Sequence, residues 1–335
     1  MSRRKSITVL VDRYTVPAED PEFRSPEPTT QTEYHVIEAL RGLGYAVEVL
    51  PLGESVSDLV ARLERARPRL VFNLTEEFYG DRCHDRNVAA LLELMRIPFT
   101  GTGAGGLTLC RDKGLCKRLL NAHRVRVPEF LTCVPGYPVK VSMSFPFPAV
   151  VKPLFGDGSD GISNASVVEN AERLVQRVQF VHGRIGQPAI VEEYIEGREI
   201  YVTVLGNRRL RVLPPRELRF NRKDGNAPLL STYYVKFNDE YRRKWQIEFG
   251  DAELDAAIAQ NIARTCKRVY RALQIRDYGR IDLRLTPQGK AVVLEANPNP
   301  DLAYGEEVAE AAEKAGIAYD NLIERIVRAG LDRRP

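Results

Sequence analysis

The chain opens on Ile7 to Val11, a short β-branched apolar run of the kind that forms a buried strand. Helical periodicity follows over Thr32–Leu43, ended by Gly44, then a strand pattern over Val47–Leu50. A helix over Asp58–Ala66 stops before Pro68, a strand covers Leu70–Leu74, and a helix covers Asn87–Met95. Strand and helix in alternation predict a mostly parallel, doubly wound first domain. Between the first strand and the first helix stand Pro17, Pro21, Pro26 and Pro28. They mark a loop longer than most strand–helix connections, which is either a lid or binding loop or a plain surface insertion.

The pattern then changes. A helix over Asp112–His123, a strand over Phe147–Val151, a helix over Asn170–Phe180 and strands over Ala189–Glu193 and Glu199–Leu205 make a small second α/β unit. Strands over Arg208–Val212 and Glu217–Phe220 precede a polar stretch, Asn221–Pro228, of loop composition. A long helix spans Leu254–Leu273. Gly279–Leu285 and Ala291–Glu295 flank the turn residues Thr286–Gly289 and read as a hairpin. Helices over Glu307–Ala315 and Tyr319–Ala329 end the pattern, and no internal repeat is visible. The expected fold class is α/β, α+β taken as a whole, with domains over 1–105, 106–189 and 190–335.

Composition narrows the function. The 335 residues are 44% hydrophobic, enough for sizeable cores, and carry a formal net charge of only +4. Acidic and basic residues are mixed along the chain, without the long basic block expected of a nucleic-acid binder. Cys83, Cys110, Cys116, Cys133 and Cys266 are scattered, without metal-ligand spacing, and read as small buried hydrophobes. With no secretory leader and no long apolar run, the reading is a soluble, reduced, cytoplasmic protein with neither nucleic acid nor membrane as partner.

The chemistry concentrates in three segments. In the hairpin, Arg280 and Asp282 share one face, as do Glu295 and Asn297, because side chains alternate along a strand. A turn around Gln288 and Gly289 sets Asp282 opposite Glu295 and Arg280 opposite Asn297. Two carboxylates and an amide oxygen are the hard ligands Mg²⁺ takes. The same residues also describe an arginine-bridged ion-pair face. The second segment runs Ala149-Val150-Val151-Lys152-Pro153 into a loop holding Gly156, Gly158, Ser159 and Gly161. Such a loop can wrap N–H groups around phosphate, with Lys152 supplying charge, or can be a flexible hairpin turn. It is not a P-loop, because the Gly-Lys-Ser/Thr order is missing. The third segment, Ile190 to Glu199, is a strand edge able to offer backbone groups to a purine, with Glu199 available to a ribose; an ordinary strand and turn fits too.

These segments, in this order, resemble the ATP-grasp superfamily and its D-alanine–D-alanine ligase-like branch. The marks are Val71-Phe72-Asn73-Leu74, Ile97-Pro98-Phe99-Thr100-Gly101, Asp112-Lys113 with Lys117, Phe147 through Lys152-Pro153, Glu192 through Glu199, Arg280-Ile281-Asp282 and Leu294-Glu295-Ala296-Asn297. Each motif alone is common; the ordered set, from Val71 to Ala329, is specific. The resemblance implies a three-domain ATP-grasp fold, in which two α+β domains grip ATP behind the doubly wound N-terminal sheet. It implies an ATP-dependent, ADP-forming carboxylate–amine ligase working through an acyl phosphate on amino acids or short peptides. ATP and two Mg²⁺ ions, with Mn²⁺ as an alternative, would be the cofactors, and a homodimer the assembly. Lys117, Lys152, Ser159, Glu192, Glu193, Tyr194, Ile195, Glu199 and Leu294 match ATP-binding positions. Asp282, Glu295 and Asn297 match metal ligands, and Arg280 and Lys236 match catalytic positions. A catalytically silent ATP-binding regulator and an ATP-grasp phosphotransferase are the other readings.

The substrate end departs from the D-alanine ligases. The family's N-terminal glycine-rich motif is replaced by Val11-Asp12-Arg13-Tyr14 and the proline-rich loop, and its His-Gly pair by Thr75-Glu76-Glu77. After Asn297, the Pro-Gly-Met turn and its serine give way to Pro298-Asn299-Pro300-Asp301, with Glu306 in the serine's place. A glutamate facing a substrate carboxylate repels it. The expectation is therefore a substrate other than D-alanine, with Asp301 and Glu306 in its site, or else as caps of the following helix.

Overall fold

A computed structural model describes residues 6–28, 31–156, 161–221, 230, 235 and 238–332. Among them three sheets form. In the first, β1 (Ser6–Val11) lies between β2 (Ala46–Pro51) and β3 (Val71–Asn73), parallel to both. Helices Gln31–Gly42 and Val56–Ala66 cover it, the second begun by Ser55, whose hydroxyl accepts from the Asp58 N–H at 3.3 Å. The expected doubly wound start is present. The proline-rich loop is pinned: Phe23 is fully buried, and Arg41 donates to the carbonyls of Glu22 and Phe23.

The second sheet orders β4 (Phe130–Cys133), β7 (Ala189–Glu193), β5 (Ala149–Pro153) and β6 (Val167–Val168), backed by helix Ala171–Phe180. Asn170 caps that helix by accepting from Arg173 N–H at 3.0 Å. All of β7 hydrogen-bonds within this sheet, so a boundary just after Glu193, rather than after residue 189, keeps it whole. The third sheet runs β11 (Ile247–Asp251), β10 (Arg216–Phe220), β8 (Arg198–Leu205), β12 (Tyr278–Leu285), β13 (Ala291–Pro298), with β9 (Arg211–Val212) beside β8. Helix Ala256–Ala272 packs its apolar stripe on it through Ile262, Cys266 and Val269.

Several elements differ from the expectation. β4 and β11 are edge strands, half-exposed and short, with too little apolar signal to stand out. The strand expected from Arg208 begins only at Arg211, because Gly206 (φ 99°) turns the chain. Helix Ala104–Arg111 forms despite two glycines; a Cβ on Gly106 would press on the Leu273 and Gln274 carbonyls, so the bare backbone lets two helices meet. Cys110, Cys116, Cys133 and Cys266 are buried thiols, as expected, and Cys83 is partly exposed.

The chain's end returns to its beginning. Ile323, Ile326 and Val327 of helix Tyr319–Leu331 pack with Ile7, Val9 and Phe72 of the first sheet in one core. The last helix is thus a structural part of the N-terminal layer. Ile323→Ala is expected to cost about 2–5 kcal/mol in chemical denaturation, the usual loss for a fully buried aliphatic. An unchanged denaturation midpoint would show that this helix is merely appended.

Candidate active site

The hairpin β12–β13 builds the first part of the site. Its register pairs Arg280 with Asn297 and Asp282 with Glu295, as the strand alternation predicts. The turn is Thr286–Lys290, with Gly289 N–H donating to Thr286 O at 2.8 Å. Between the turn and the pairs the register slips by one at Leu294, a bulge that re-aims the strand. Asp282 is buried and receives three bonds: Arg280 Nε at 2.8 Å, Arg280 Nη2 at 3.1 Å and Asn297 Nδ2 at 2.9 Å. Glu295, across from it, is partly exposed and stands 3.6 Å from Lys113 Nζ. Arg280 also reaches Glu307 at 3.4 Å and lies 5.1 Å over the Tyr201 ring. Burial alone would lower the arginine's pKa, but Asp282 and Glu307 hold it above its usual value.

The second part comes from the middle of the chain. Asp112 starts helix Lys113–Ala122 by accepting from the Leu115 N–H at 2.8 Å, and so sets Lys113 and Lys117 on one buried face. Lys117 Nζ contacts Glu192 Oε1 at 2.8 Å and donates to Leu294 O at 2.7 Å. Lys152 Nζ, from β5, contacts Glu192 Oε2 at 2.9 Å. Burial would raise the Glu192 carboxyl, but the two lysines hold it down at about 2. Glu192 in turn keeps Lys152 above its usual value against burial. Two ammonium groups against one carboxylate leave this trio with a net positive charge.

A narrow cleft opens here between the second and third sheets. Its lining includes Lys152, Glu192, Glu193, Tyr194, Ile195, Glu199, Asp282, Leu294 and Glu295, which are most of the expected nucleotide and metal residues. Glu193 and Tyr194 donate backbone N–H to Glu129 O and Pro148 O, fixing the segment that leads from β7 into β8. Gly197 (φ 147°) makes the crossing, because a Cβ there would strike the Leu285 carbonyl. Glu199 is buried and accepts from Arg284 Nη2 and Tyr201 Oη, both at 2.8 Å. The Arg284 guanidinium also sits 5.7 Å from the Tyr194 ring. Arg284 was not anticipated, although it follows Arg280 and Asp282 at the same two-residue period. Ser159 and Lys236 lie outside the described residues.

A second cleft lies between the first sheet's loops and β13. It is lined by Thr75, Glu76, Arg82, Asp85, Arg111, Lys113, Arg280, Glu295, Asn297 and Asp301, among others. Glu295 therefore borders both clefts. Asp301 accepts from Thr32 Oγ1 at 2.6 Å and from Ala303 N–H at 2.7 Å, so it braces its own turn rather than capping the helix. Glu306 is placed differently: it precedes helix Glu307–Lys314 without a side-chain cap bond and is absent from the cleft lining. Its side chain keeps contact with solvent, yet partial loss of hydration, then Glu307 and Asp301, raise its carboxyl to about 7.

Beside Glu76, Asp12 directly follows β1 and is buried. Its Oδ2 accepts from Glu76 N–H at 2.9 Å, while Oδ1 has no hydrogen-bond partner among the described residues. Burial, followed by Glu76 and Glu77, raises its carboxyl to about 7. Asp12 was not among the expected site residues; its place at the carboxyl end of a parallel strand, where such sheets bind ligands, was the available signal.

A family model described as D-ala D-ala ligase C-terminus matches residues 134–328. The chain belongs to this family. The uncharacterized protein y4sG of Sinorhizobium fredii is 33% identical over 330 residues, covering 96% of this chain and 93% of that protein. The D-alanine–D-alanine ligase of Rickettsia canadensis is 27% identical over 296 residues, covering 88% and 77%. The crystal structure of the Bacillus anthracis D-alanine–D-alanine ligase complexed with ATP superposes with a TM-score of 0.74 at 19% identity, covering 98% and 97% of the two chains. The ATP-grasp fold of the D-alanine–D-alanine ligase family is thus this chain's fold.

The buried triad makes a pH prediction. A carboxyl whose folded pKa is depressed stabilises the fold above its unfolded value, and that contribution fades as pH falls toward the folded value. Wild type should therefore lose stability between its ordinary carboxyl range and about pH 2 partly through Glu192. Glu192→Gln should remove that part of the slope and, by stranding two buried ammonium groups, cost about 3–5 kcal/mol at neutral pH. Urea denaturation at a series of pH values reads both; parallel curves for the two proteins would contradict the assignment.

Proposed function

We propose that this D-alanine–D-alanine ligase family member is an ATP- and Mg²⁺-dependent ligase that phosphorylates a carboxylate and joins it to an amine, releasing ADP and phosphate. The observation that supports it most is the position of Glu295. It faces Asp282 across the hairpin and borders both the lysine-walled cleft and the cleft behind it. A group at that junction can address a nucleotide's terminal phosphate from one side and an acid from the other. Asp282, Glu295 and Asn297 are hard oxygen donors of the kind Mg²⁺ prefers, so the donor set fits the metal. Bound there, Mg²⁺ would draw charge from the phosphate oxygens.

The residues then divide the work by charge. Lys152 and Lys117, oriented by Glu192, offset the repulsion between the attacking carboxylate and an anionic phosphate. Glu193 to Ile195 offer the backbone edge for adenine, and Glu199, held by Arg284, turns toward a ribose. Arg280, locked by Asp282 and Glu307, stabilises the oxyanion when the amine adds to the acyl phosphate, and phosphate leaves with the former carboxylate oxygen. Asp12 and Thr75–Glu77, where the D-alanine ligases have other motifs, surround the substrate end. The second cleft carries both signs, Arg82, Arg111, Lys113 and Arg280 against Glu76, Asp85, Glu295 and Asp301, which suits zwitterionic amino acids or short peptides. With Asp301 at its edge and the buried Asp12 beside Glu76, we propose a substrate other than D-alanine, whose positive group lies near the new bond. Such a contact favours the cation by about 1–3 kcal/mol.

Two outcomes test this reading. Glu295→Gln should abolish Mg²⁺-dependent ADP release while leaving the circular-dichroism spectrum unchanged; retained turnover would remove Glu295 from the site. A mass-spectrometric screen of amino acids and short peptides should give an amide product enriched in basic components. Asp301→Gly should raise the KM of that component several-fold without changing ATP affinity, whereas Glu306→Ser, outside the cleft lining, should change it little. Efficient synthesis of D-alanyl-D-alanine would refute the substrate assignment. Tight ATP binding without any product would favour a silent regulator, and phosphoryl transfer without amide a phosphotransferase.

A further inference from the structure

A broad groove elsewhere on the molecule shares no lining residue with either cleft. It runs between the turn after β8, the end of helix Ala256–Ala272 and the outer face of helix Tyr319–Leu331, and is open to solvent. Seven arginines line it: Arg208 and Arg209 from the turn, Arg211 from β9, Arg271 and Arg276 from the helix end, and Arg325 and Arg328 from the last helix. All seven side chains are exposed. Three carboxylates oppose them, so the groove's surplus of four positive charges equals the formal surplus of the whole chain. The remainder of the chain sums to zero formal charge. In the linear sequence these arginines are spread over more than a hundred positions and show no basic block; only the fold assembles them.

Those carboxylates do not neutralise the groove. Asp277 is buried and accepts from Gly101 N–H and Asn207 Nδ2, both at 2.8 Å. Glu324 is shared between Arg328 and the Tyr45 hydroxyl. Asp332, just past the last helix, is the third. Arg211 is spent on the Ala315 carbonyl, at 3.1 Å. Among the described residues, Arg208, Arg209, Arg271, Arg276 and Arg325 have no carboxylate within 4.0 Å. Like charges gathered round one concavity repel one another and concentrate anions there. The choice of arginine, without a single lysine in the lining, also matters: the planar guanidinium fork matches the paired oxygens of phosphate. Tyr270 is the lining's aromatic and is buried, so no ring is offered to a stacked base. Contact would be with phosphates alone.

We propose that this groove binds a ligand presenting a run of phosphates, the chemistry shared by a nucleic-acid backbone and by inorganic polyphosphate. The test is fluorescence anisotropy of the full chain with a labelled duplex RNA and, separately, labelled polyphosphate, over a salt series. Polyglutamate serves as a polyanion without phosphate. Binding should weaken with a log–log salt slope of about −3 to −5, as expected when several phosphates are neutralised. The triple variant Arg271→Glu, Arg276→Glu, Arg325→Glu should bind at least ~30-fold more weakly, because each lost phosphate contact removes part of that slope. Equal charge reversal on other faces, at Arg65, Lys140 and Arg173, should weaken it far less. Both triple variants should keep the ATP affinity of wild type, which separates this proposal from the ligase reading. Tight binding of the RNA alone names nucleic acid as the source, and of polyphosphate alone the free chain; either supports the site. No binding at physiological salt, equal binding of polyglutamate, or equal losses in the two triple variants would overturn it.

Discussion

Glu192 is a carboxylate almost without solvent contact, pinned between two ammonium groups. Removing such ions from water is costly, and the cost is offset only while all three stay in register. That requirement ties separate parts of the chain together. Lys117 comes from the helix begun by Asp112, Lys152 from β5 and Glu192 from β7. Through Lys117 the same knot reaches the Leu294 carbonyl at the bulge of β13, so the second sheet is fastened to the third at the point where the cleft opens. The position of the cleft walls follows from that one buried arrangement.

The bulge matters for the same reason. Near the turn, the pairing of β12 with β13 would put Asp282 opposite Leu294; one extra residue shifts Glu295 into place instead. Asp282, Glu295, Arg280 and Asn297 then share a face, with the apolar Ile281, Leu283 and Ala296 buried on the other, against helix Ala256–Ala272. Polar chemistry at one surface of the sheet and close packing at the other are two readings of one alternation. The cleft behind it is bounded by the first sheet's loops, and the last helix, by returning to that sheet, closes the chain around the junction.

Much of this was legible in the residues. The hairpin register, the parallel start, the buried cysteines and the family all follow from period-two alternation, strand–helix alternation and ordered motifs. What escaped depended on contacts between distant segments. The edge strands β4 and β11 carry little apolar signal, and helix Ala104–Arg111 is held by the close approach that Gly106 permits. Arg284 was hidden because its partner Glu199 lies 85 positions away. Glu306, aligned with a substrate-site serine, is the residue before the next helix, after a turn braced by Asp301 on Thr32. The arginine groove could not be read at all from local composition, since three remote segments make it.

The central claim is that the two clefts meet so that a carboxylate attacks a phosphate before an amine attacks the carbonyl. It can be tested without knowing the substrates. The protein would be incubated with ATP, Mg²⁺ and pooled amino acids whose carboxylates carry heavy oxygen, and the inorganic phosphate released would be analysed by mass spectrometry. The account predicts one heavy oxygen in each phosphate formed together with an amide product, because the acid's oxygen leaves on phosphorus. Amide formed alongside wholly unlabelled phosphate would contradict it.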